Sequence, residues 1–279
     1  MKKLLLASSA LVLSAGMASA QGVSLGGYGY MGIADVNNTV HYGTRLTASA
    51  RLQADHGLTF GADWRIYDRN CDLVVGCVDQ QFILNTARVS VDGFTLIMGN
   101  TNGAVRSLAR SANFYGFNNG GLFAVTTGHG GWHGESAGIV PNVAARENIY
   151  ASYSFGDLTG GVSYDIVDGT WEIAARGSFD QFTVGVGWTN DHGNGGGGGN
   201  QFAIIGSWSD GVFGVSAGYD SASTDVVLTA SYQMGEIGLA AATDLTDFGL
   251  NATYDLGGGA TASATLSTQQ IGAGIQFNF

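Results

Sequence analysis

The arginines are the side chains whose type and spacing point most clearly to chemistry. The eleven basic residues are Lys2, Lys3 and nine arginines, and every arginine lies between residues 45 and 176. Alternation of polar and apolar residues places five charged residues on the polar faces of three neighbouring strand-like segments: Arg45, Arg51, Asp63, Arg65 and Arg88. Guanidinium groups gathered in a low-dielectric narrowing act on mobile ions rather than on a covalent bond. We therefore predict a basic wall; a scatter of solvated arginines without function is the alternative.

A long segment, residues 100–145, interrupts the alternation and adds Arg106, Arg110 and Glu135. Loops longer than about 12–15 residues are uncommon unless they are functional or disordered. This segment holds too many aromatic and aliphatic residues to remain in water, so disorder is disfavoured. We predict that it packs inside a closed β-barrel, narrows the lumen and forms a constriction together with the basic wall.

The first twenty residues have the composition of a secretory signal peptide. Lys2 and Lys3 precede an apolar run that ends at Ala18-Ser19-Ala20, and cleavage is expected before Gln21. The run is shorter than the roughly 20 apolar residues of a membrane-spanning helix. Without it the chain carries nine arginines against 22 acids, a net charge of 9 − 22 = −13. Such a charge argues against a nucleic-acid partner, which would require a basic face.

The remaining sequence, residues 21–279, predicts an all-β membrane protein. Hydrophobic residues make up 45% and charged residues only 12%, against about 25% charged in soluble domains. No run of about 18 apolar residues follows Gln21, and segments of about ten residues alternate in polarity instead. An exported chain of this kind fits a transmembrane antiparallel β-barrel, because only helices and closed barrels satisfy the backbone in lipid. Alternation by itself would also fit a soluble sandwich.

Turn signals set the number of strands at sixteen, within one hairpin. Seven tight turns, such as Asp92-Gly93 and Asp210-Gly211, alternate with eight variable loops, the asymmetry of outer-membrane barrels. Aromatic residues gather near the tight turns, as in the interfacial girdle of a barrel in outer-membrane lipid. Residues 81–86 alternate poorly, which predicts a β-bulge there. The last strand is expected to pair with the first, so that no edge remains.

Cys71 and Cys77 lie in one predicted external loop. In an oxidising compartment a disulfide between them would persist and close a small loop, contributing about 2–3 kcal/mol. Their spacing does not fix the geometry that a disulfide requires, so a bridge and two free thiols both remain open.

The other candidate sites are weaker. His129 and His133, with Glu135 nearby, have no helix to align them as the three or four fixed ligands that zinc needs. The glycine run 195–199 lacks the Lys-Ser/Thr and the strand–helix context of a phosphate loop. No spacing singles out a nucleophile together with a base. We predict no enzyme, no metal site and no cofactor; bound calcium is possible but not predicted.

Several motifs give the chain a resemblance to a known family. They are the terminal Phe279, the opening Gly26-Gly-Tyr-Gly-Tyr-Met-Gly32, the Gly99-Asn100 start of the long segment, and Tyr254-Asp-Leu-Gly-Gly-Gly-Ala260. With them the chain resembles a general diffusion porin of the alphaproteobacterial type. The resemblance implies a sixteen-stranded homotrimer in the outer membrane, whose third external loop folds into the pore. It also implies passive diffusion of small hydrophilic solutes and ions. The Pro-Glu-Phe-Gly motif of the enterobacterial constriction loop is absent.

Other functions remain open from the sequence. The barrel could act as an adhesin or surface receptor whose lumen is plugged by residues 100–145. A hydrolase would require a Ser–His pair at the lipid face. A substrate-specific channel would show a track of lumen aromatics, whereas only isolated ones such as Tyr67 and Tyr150 occur.

Overall fold

In the computed structural model the chain forms a closed antiparallel β-barrel of sixteen strands. The structure describes residues 22–34, 39–69, 80–109, 148–166, 169–190, 200–221, 226–268 and 271–279. Each strand pairs with the next one along the chain, and the last strand returns to the first. The predicted all-β barrel is therefore confirmed. The predicted signal peptide, residues 1–20, lies outside the described residues and stays a prediction.

Strand lengths run from six to fifteen residues. The strands are β1 (Val23–Ala34), β2 (Thr39–Gln53), β3 (Thr59–Arg69), β4 (Gln80–Val91), β5 (Phe94–Gly99), β6 (Asn148–Phe155), β7 (Leu158–Asp165), β8 (Trp171–Phe179), β9 (Phe182–Thr189), β10 (Gln201–Ser209), β11 (Phe213–Asp220), β12 (Val226–Met234), β13 (Ile237–Thr243), β14 (Phe248–Gly257), β15 (Ala260–Ser267) and β16 (Ile271–Asn278). One short helix, α1 (Ala104–Leu108), follows β5. In the part of the chain that the structure describes, no helix is long and apolar enough to cross a membrane.

Connections of two to five residues join the strands at one rim, and connections of three to 48 residues join them at the other. The predicted alternation of uniformly short turns with variable loops is therefore confirmed. At Asp92-Gly93 both residues have positive φ, 45° and 82°, the backbone of a type I′ turn that matches the twist of a hairpin. In outer-membrane barrels the rim of short turns faces the periplasm.

The exposed side of each strand is apolar, which separates a membrane barrel from a soluble sandwich. In β9, Phe182 and Val186 point outward and are 57% and 46% exposed. The alternate residues Gly185, Gly187 and Thr189 face inward and are buried. A soluble sandwich would bury the apolar face, so this arrangement requires lipid around the barrel.

Aromatic side chains on the outer surface carry polar groups toward the tight-turn rim. The indole N–H of Trp208 donates to Gln181 at 2.9 Å, and the hydroxyl of Tyr254 donates to Glu236 at 2.8 Å. Such side chains suit the boundary between hydrocarbon and water, where one end is apolar and the other is hydrated. Aromatic residues of the predicted interfacial girdle therefore lie on the outer surface near the tight-turn rim.

Strand β16 closes the barrel against β1, as predicted. The backbone N–H of Gly27 donates to the carbonyl of Phe279 at 2.8 Å, and the N–H of Phe279 donates back at 3.0 Å. The aromatic rings of Phe277 and Phe279 cover Gly29 and Gly27, and a methyl group at Gly27 would lie 2.9 Å from the Phe279 ring. The outward phenylalanines therefore pack over the glycines of the neighbouring strand.

Deleting Phe279 should lower the yield of membrane-inserted protein several-fold, because the deletion removes both Gly27 hydrogen bonds and the ring above that glycine. The conductance of the protein that does insert should stay unchanged. Heat-modifiable protein in outer-membrane fractions measures the yield. Phe279→Leu, which keeps the backbone bonds and an apolar side chain, should give an intermediate yield. A truncated chain that inserts like wild type would contradict the importance of this contact.

The predicted bulge at residues 81–86 is wrong. Strands β3 and β4 pair without a register shift from Thr59↔Ser90 to Arg69↔Gln80. A register shift occurs instead between Asp255 and Gly257, beside the tight turn between β14 and β15. The poor polar–apolar alternation of residues 81–86 therefore reflects the types of side chain and not an irregular pairing of β4 with β3.

Candidate functional site

The lumen contains the start of the long segment between β5 and β6. Gly99 ends β5 with φ 105°, a conformation that favours glycine. Asn100 continues the pairing with β4. Its backbone N–H donates to the Asn85 carbonyl at 2.9 Å, and its side-chain oxygen accepts from the Asn85 N–H at 3.2 Å. After this point the chain turns inward, and α1 packs against β6, β7, β8 and β9.

Helix α1 lies on a patch of wall where glycines of β7 and β9 face it. Its apolar residues Ala104, Val105 and Leu108 are buried. A methyl group at Gly187 would come within 3.0 Å of Val105, and one at Gly161 within 3.0 Å of Leu108. Larger residues on these strands would hold the helix away from the wall, so glycine allows the close approach.

Two buried polar side chains of the wall satisfy the first backbone N–H groups of α1. The N–H of Ala104 donates to the Ser163 hydroxyl at 2.8 Å, and the N–H of Val105 donates to the Glu172 carboxylate at 3.1 Å. The Ser163 hydroxyl donates in turn to Glu172 at 3.0 Å. Glu172 is only 4% exposed. A carboxylate at the start of a helix is favourable because the unpaired N–H groups there are partly positive.

Replacing Glu172 by alanine should loosen this attachment. A lost helix cap costs about 0.5–2 kcal/mol, so the detached state should become roughly two- to thirty-fold more populated. Single-channel current noise should rise, and proteolysis within residues 100–147 of the folded protein should become faster. Glu236→Ala, an exposed acid at a tight turn, is the control and should leave both unchanged. If the current noise and the rate of proteolysis of Glu172→Ala equal those of wild type, Glu172 does not hold α1 in place.

The five wall residues predicted from the sequence lie on three adjacent strands and at lumen-facing register positions. On β2 and β3, Arg51 forms an ion pair of 2.9 Å with Asp63. Asp63 also accepts from Ser49 at 2.6 Å and from Thr86 at 3.4 Å. It is 6% exposed and interacts electrostatically with Arg88 of β4. The charge of Arg51 is therefore largely compensated within the wall.

The other two wall arginines differ from Arg51. Arg45 donates to the Thr47 hydroxyl at 3.2 Å and lies over the Tyr28 ring at 5.5 Å, a cation–π contact. Arg65, at the lumen position paired with Thr47, is half-buried. No hydrogen bond or ion pair joins Arg65 to any residue that the structure describes. Its charge is thus the least compensated of the wall.

The structure reaches only part of the predicted constriction. Arg106 lies on α1 and is half-buried, and α1 packs mainly against β6–β9. The predicted residues Arg110, Glu135, Cys71 and Cys77 lie outside the described residues, as do His129 and His133. Their roles, and the role of the wall as a constriction, stay predictions.

Sequence reasoning missed the residues that attach α1. Ser163 and Glu172 were polar positions of ordinary alternating strands, and the glycines facing α1 had no local signal beyond their small size. An acid on the polar face of a strand, with small residues around it, was the one signal that the sequence offered at Glu172. Among the described residues no group of three or more His, Cys, Asp and Glu could hold a metal ion.

Comparison with known proteins agrees with this architecture. The sequence model described as Gram-negative porin matches residues 7–170, more than half of the chain. This match, together with the closed sixteen-stranded barrel, defines the class of protein. The chain belongs to the Gram-negative porin family. It is an outer-membrane β-barrel channel, and the resemblance seen in the sequence is confirmed at the level of the family.

Solved porin structures share the fold. A three-substitution variant of the Rhodopseudomonas blastica porin is 20% identical with a TM-score of 0.67, and the match covers 92% of this chain and 100% of that one. Another triple variant of the same porin is 17% identical with a TM-score of 0.64 and has the same coverage. No curated protein matches by sequence. At these identities the structures show the shared barrel and nothing about residue roles.

Proposed function

We propose that this protein is a general diffusion porin, a water-filled channel through which small hydrophilic solutes and ions cross the outer membrane passively. A barrel of sixteen strands is wide enough to leave an aqueous lumen, whereas about eight strands would be filled by side chains. The observation that carries the proposal is the polar inner face of the strands away from α1.

The lumen face of β10–β15 consists mainly of small hydroxyl and amide side chains. They include Ser207, Ser216, Thr229, Ser231, Asn251, Thr253, Ser263 and Thr265. Several pair with each other across strands, for example Ser216 with Thr229 at 2.6 Å and Thr265 with Asn251 at 2.9 Å. Because these side chains form hydrogen bonds with each other along the wall, the middle of the lumen can be filled by water.

The plugged adhesin or receptor is less well supported. The larger described hydrophobic cluster involves α1 and its neighbours on the wall, namely Tyr150, Ala174, Ala203 and Ile97. The other consists only of Ala242 and Ala240 of β13. The described start of the long segment thus packs to one side. A plug would instead need apolar contacts around the ring, and the β10–β15 face offers mostly polar groups.

Planar-bilayer recording of the purified protein tests the proposal. A diffusion porin should give stepwise currents whose conductance rises in proportion to salt concentration, and small polyethylene glycols should enter the pore while large ones do not. Failure of correctly folded protein to conduct would reject the channel and favour the plugged barrel.

We propose further that the protein assembles as a homotrimer through the outer faces of β1–β4. Near the tight-turn rim, the tyrosines and the tryptophan at outward register positions lie on β6–β14: Tyr153, Trp208, Tyr232 and Tyr254. The described outward residues of β1–β4 near that rim are mostly Val, Leu and Ala, with Phe60 as the aromatic. A rim segment without polar-tipped aromatics suits contact with protein better than contact with a lipid interface. Chemical cross-linking in outer membranes, followed by counting of subunits, would reveal a monomer if this is wrong.

We also propose that residues 1–20 are removed during export. The basic start, the apolar run and the Ala18-Ser19-Ala20 site support it. Amino-terminal sequencing of protein from outer membranes should begin at Gln21, and an intact Met1 would contradict the proposal.

A further inference from the structure

We propose that Arg176 is a second anion contact of the channel, separate from the basic wall, which binds small oxyanions such as carboxylates and phosphate in transit. The inference rests on the proposed function of the protein as an open channel. It concerns a residue outside the predicted constriction.

The register of β8 places Arg176 on the lumen side. Trp171 and Ile173 of the same strand point outward and are 53% and 54% exposed. The alternate positions Glu172 and Ala174 are buried against α1 inside the barrel. Arg176 continues this inward series, and its side chain is exposed. An inward and exposed side chain is in contact with the water of the lumen.

Arg176 lies at the periplasmic end of α1. Its cross-strand partners are Thr159 of β7 and Gly185 of β9. Gly185 touches the last turn of the inserted helix, since a methyl group there would lie 3.0 Å from the Cα of Ala109. Arg176 is three residues from Phe179, the last residue of β8, or about 7 Å above the tight-turn rim for a tilted strand. A solute coming from outside therefore meets it after passing α1.

The charge of Arg176 is not compensated by the described residues. It makes no hydrogen bond or ion pair with them, in contrast to Arg51, which is paired with Asp63. Its row on the wall contains Thr159 and Gly185 and no acid. Glu172 is four residues away on the same face, about 13 Å along the strand, and is engaged with α1. The guanidinium is therefore available to a mobile anion.

Arg176 and Arg65 form two successive cationic positions at different depths. Four strands lie between β3 and β8 in the sixteen-stranded ring. Arg65 is six residues beyond Thr59, the first residue of β3, and so about 14 Å above the tight-turn rim. An anion that leaves Arg65 can next be attracted by Arg176. Guanidinium groups bind carboxylate and phosphate with two parallel hydrogen bonds, which chloride cannot form, so oxyanions should gain the most.

Reversal potentials across gradients of potassium chloride and potassium acetate test the proposal. Arg176→Gln should lower the anion-to-cation permeability ratio about 1.5- to 3-fold near 0.1 M salt and much less near 1 M, where charges are screened. Arg176→Lys keeps the positive charge but loses the two parallel N–H donors of the guanidinium. The variant should therefore retain the permeability ratio measured in potassium chloride and lose part of the preference for acetate. Thr183→Gln, an inward change of similar size near the same rim, is the control and should behave like wild type.

Three results would overturn the proposal. The first is an Arg176→Gln channel with wild-type reversal potentials in both salts. The second is a shift in Thr183→Gln equal to that in Arg176→Gln. The third is a large change in the conductance of Arg176→Gln in symmetric 1 M salt without a change in selectivity, which would mean that Arg176 positions the inserted segment. If the glutamine variant does not insert, Arg176→Lys decides by its acetate preference. Absence of any conductance from the wild type would instead refute the proposed channel.

Discussion

Reversing two charges of the basic wall, Arg65→Glu with Arg88→Glu, should shift the ion preference of the channel toward cations. One unit charge about 10 Å from an ion in water contributes about 0.4 kcal/mol before screening. Four units of charge change, reduced by salt, should therefore alter the cation-to-anion permeability ratio roughly three- to tenfold at 0.1 M. The pore radius should change little, because glutamate is only two bonds shorter than arginine and the barrel wall is unchanged. Reversal potential across a salt gradient measures the shift.

The structure refines this experiment. Arg88 interacts with Asp63, so glutamate at position 88 would place two carboxylates close together and disturb the Arg51 ion pair. Arg65 has no partner among the described residues, so the single variant Arg65→Glu isolates the effect of charge on ions. Arg65→Gln should give about half of its shift. If Arg65→Glu leaves the reversal potential unchanged, the arginines of the wall are solvated residues without a role in selection.

Replacing residues 112–135 by a short Gly/Ser linker should raise single-channel conductance about twofold or more, since conductance follows the narrowest cross-section of an aqueous barrel. The replacement starts after α1, so the attachment of the helix to Ser163 and Glu172 is kept. It also removes Glu135, so a change in selectivity should accompany the change in conductance. Planar-bilayer recording with polyethylene glycols of graded size gives both conductance and pore radius.

A matched control separates the inserted segment from external loops in general. The same linker in place of residues 191–199, between β9 and β10, should leave conductance unchanged. If the 112–135 variant conducts like wild type, those residues lie outside the pore. The predicted constriction by residues 100–145 would then be wrong, although the α1 contacts would stand.

The sequence by itself determined the barrel and its lipid-facing side. Alternation with a period of two is a local property, because successive side chains of a strand point to opposite faces whatever the partner strand is. Turn residues act locally as well: Asp92-Gly93 adopts the positive φ values that a tight hairpin needs. The strand number, the inward position of Arg65 and the pairing of the last strand with the first followed from these signals.

Only the tertiary structure decided how the lumen is organised. The contacts of α1 with Ser163 and Glu172 join residues 59 and 67 positions apart, and no local pattern encodes such a pairing. The Arg51–Asp63 ion pair likewise depends on the register of β2 against β3, which separates a compensated arginine from an uncompensated one such as Arg65. Backbone hydrogen bonding held β3 and β4 in register where side-chain alternation was poor. Side-chain pattern thus specifies the faces of the barrel, while register and long-range packing specify which charges in the lumen are free to meet an ion.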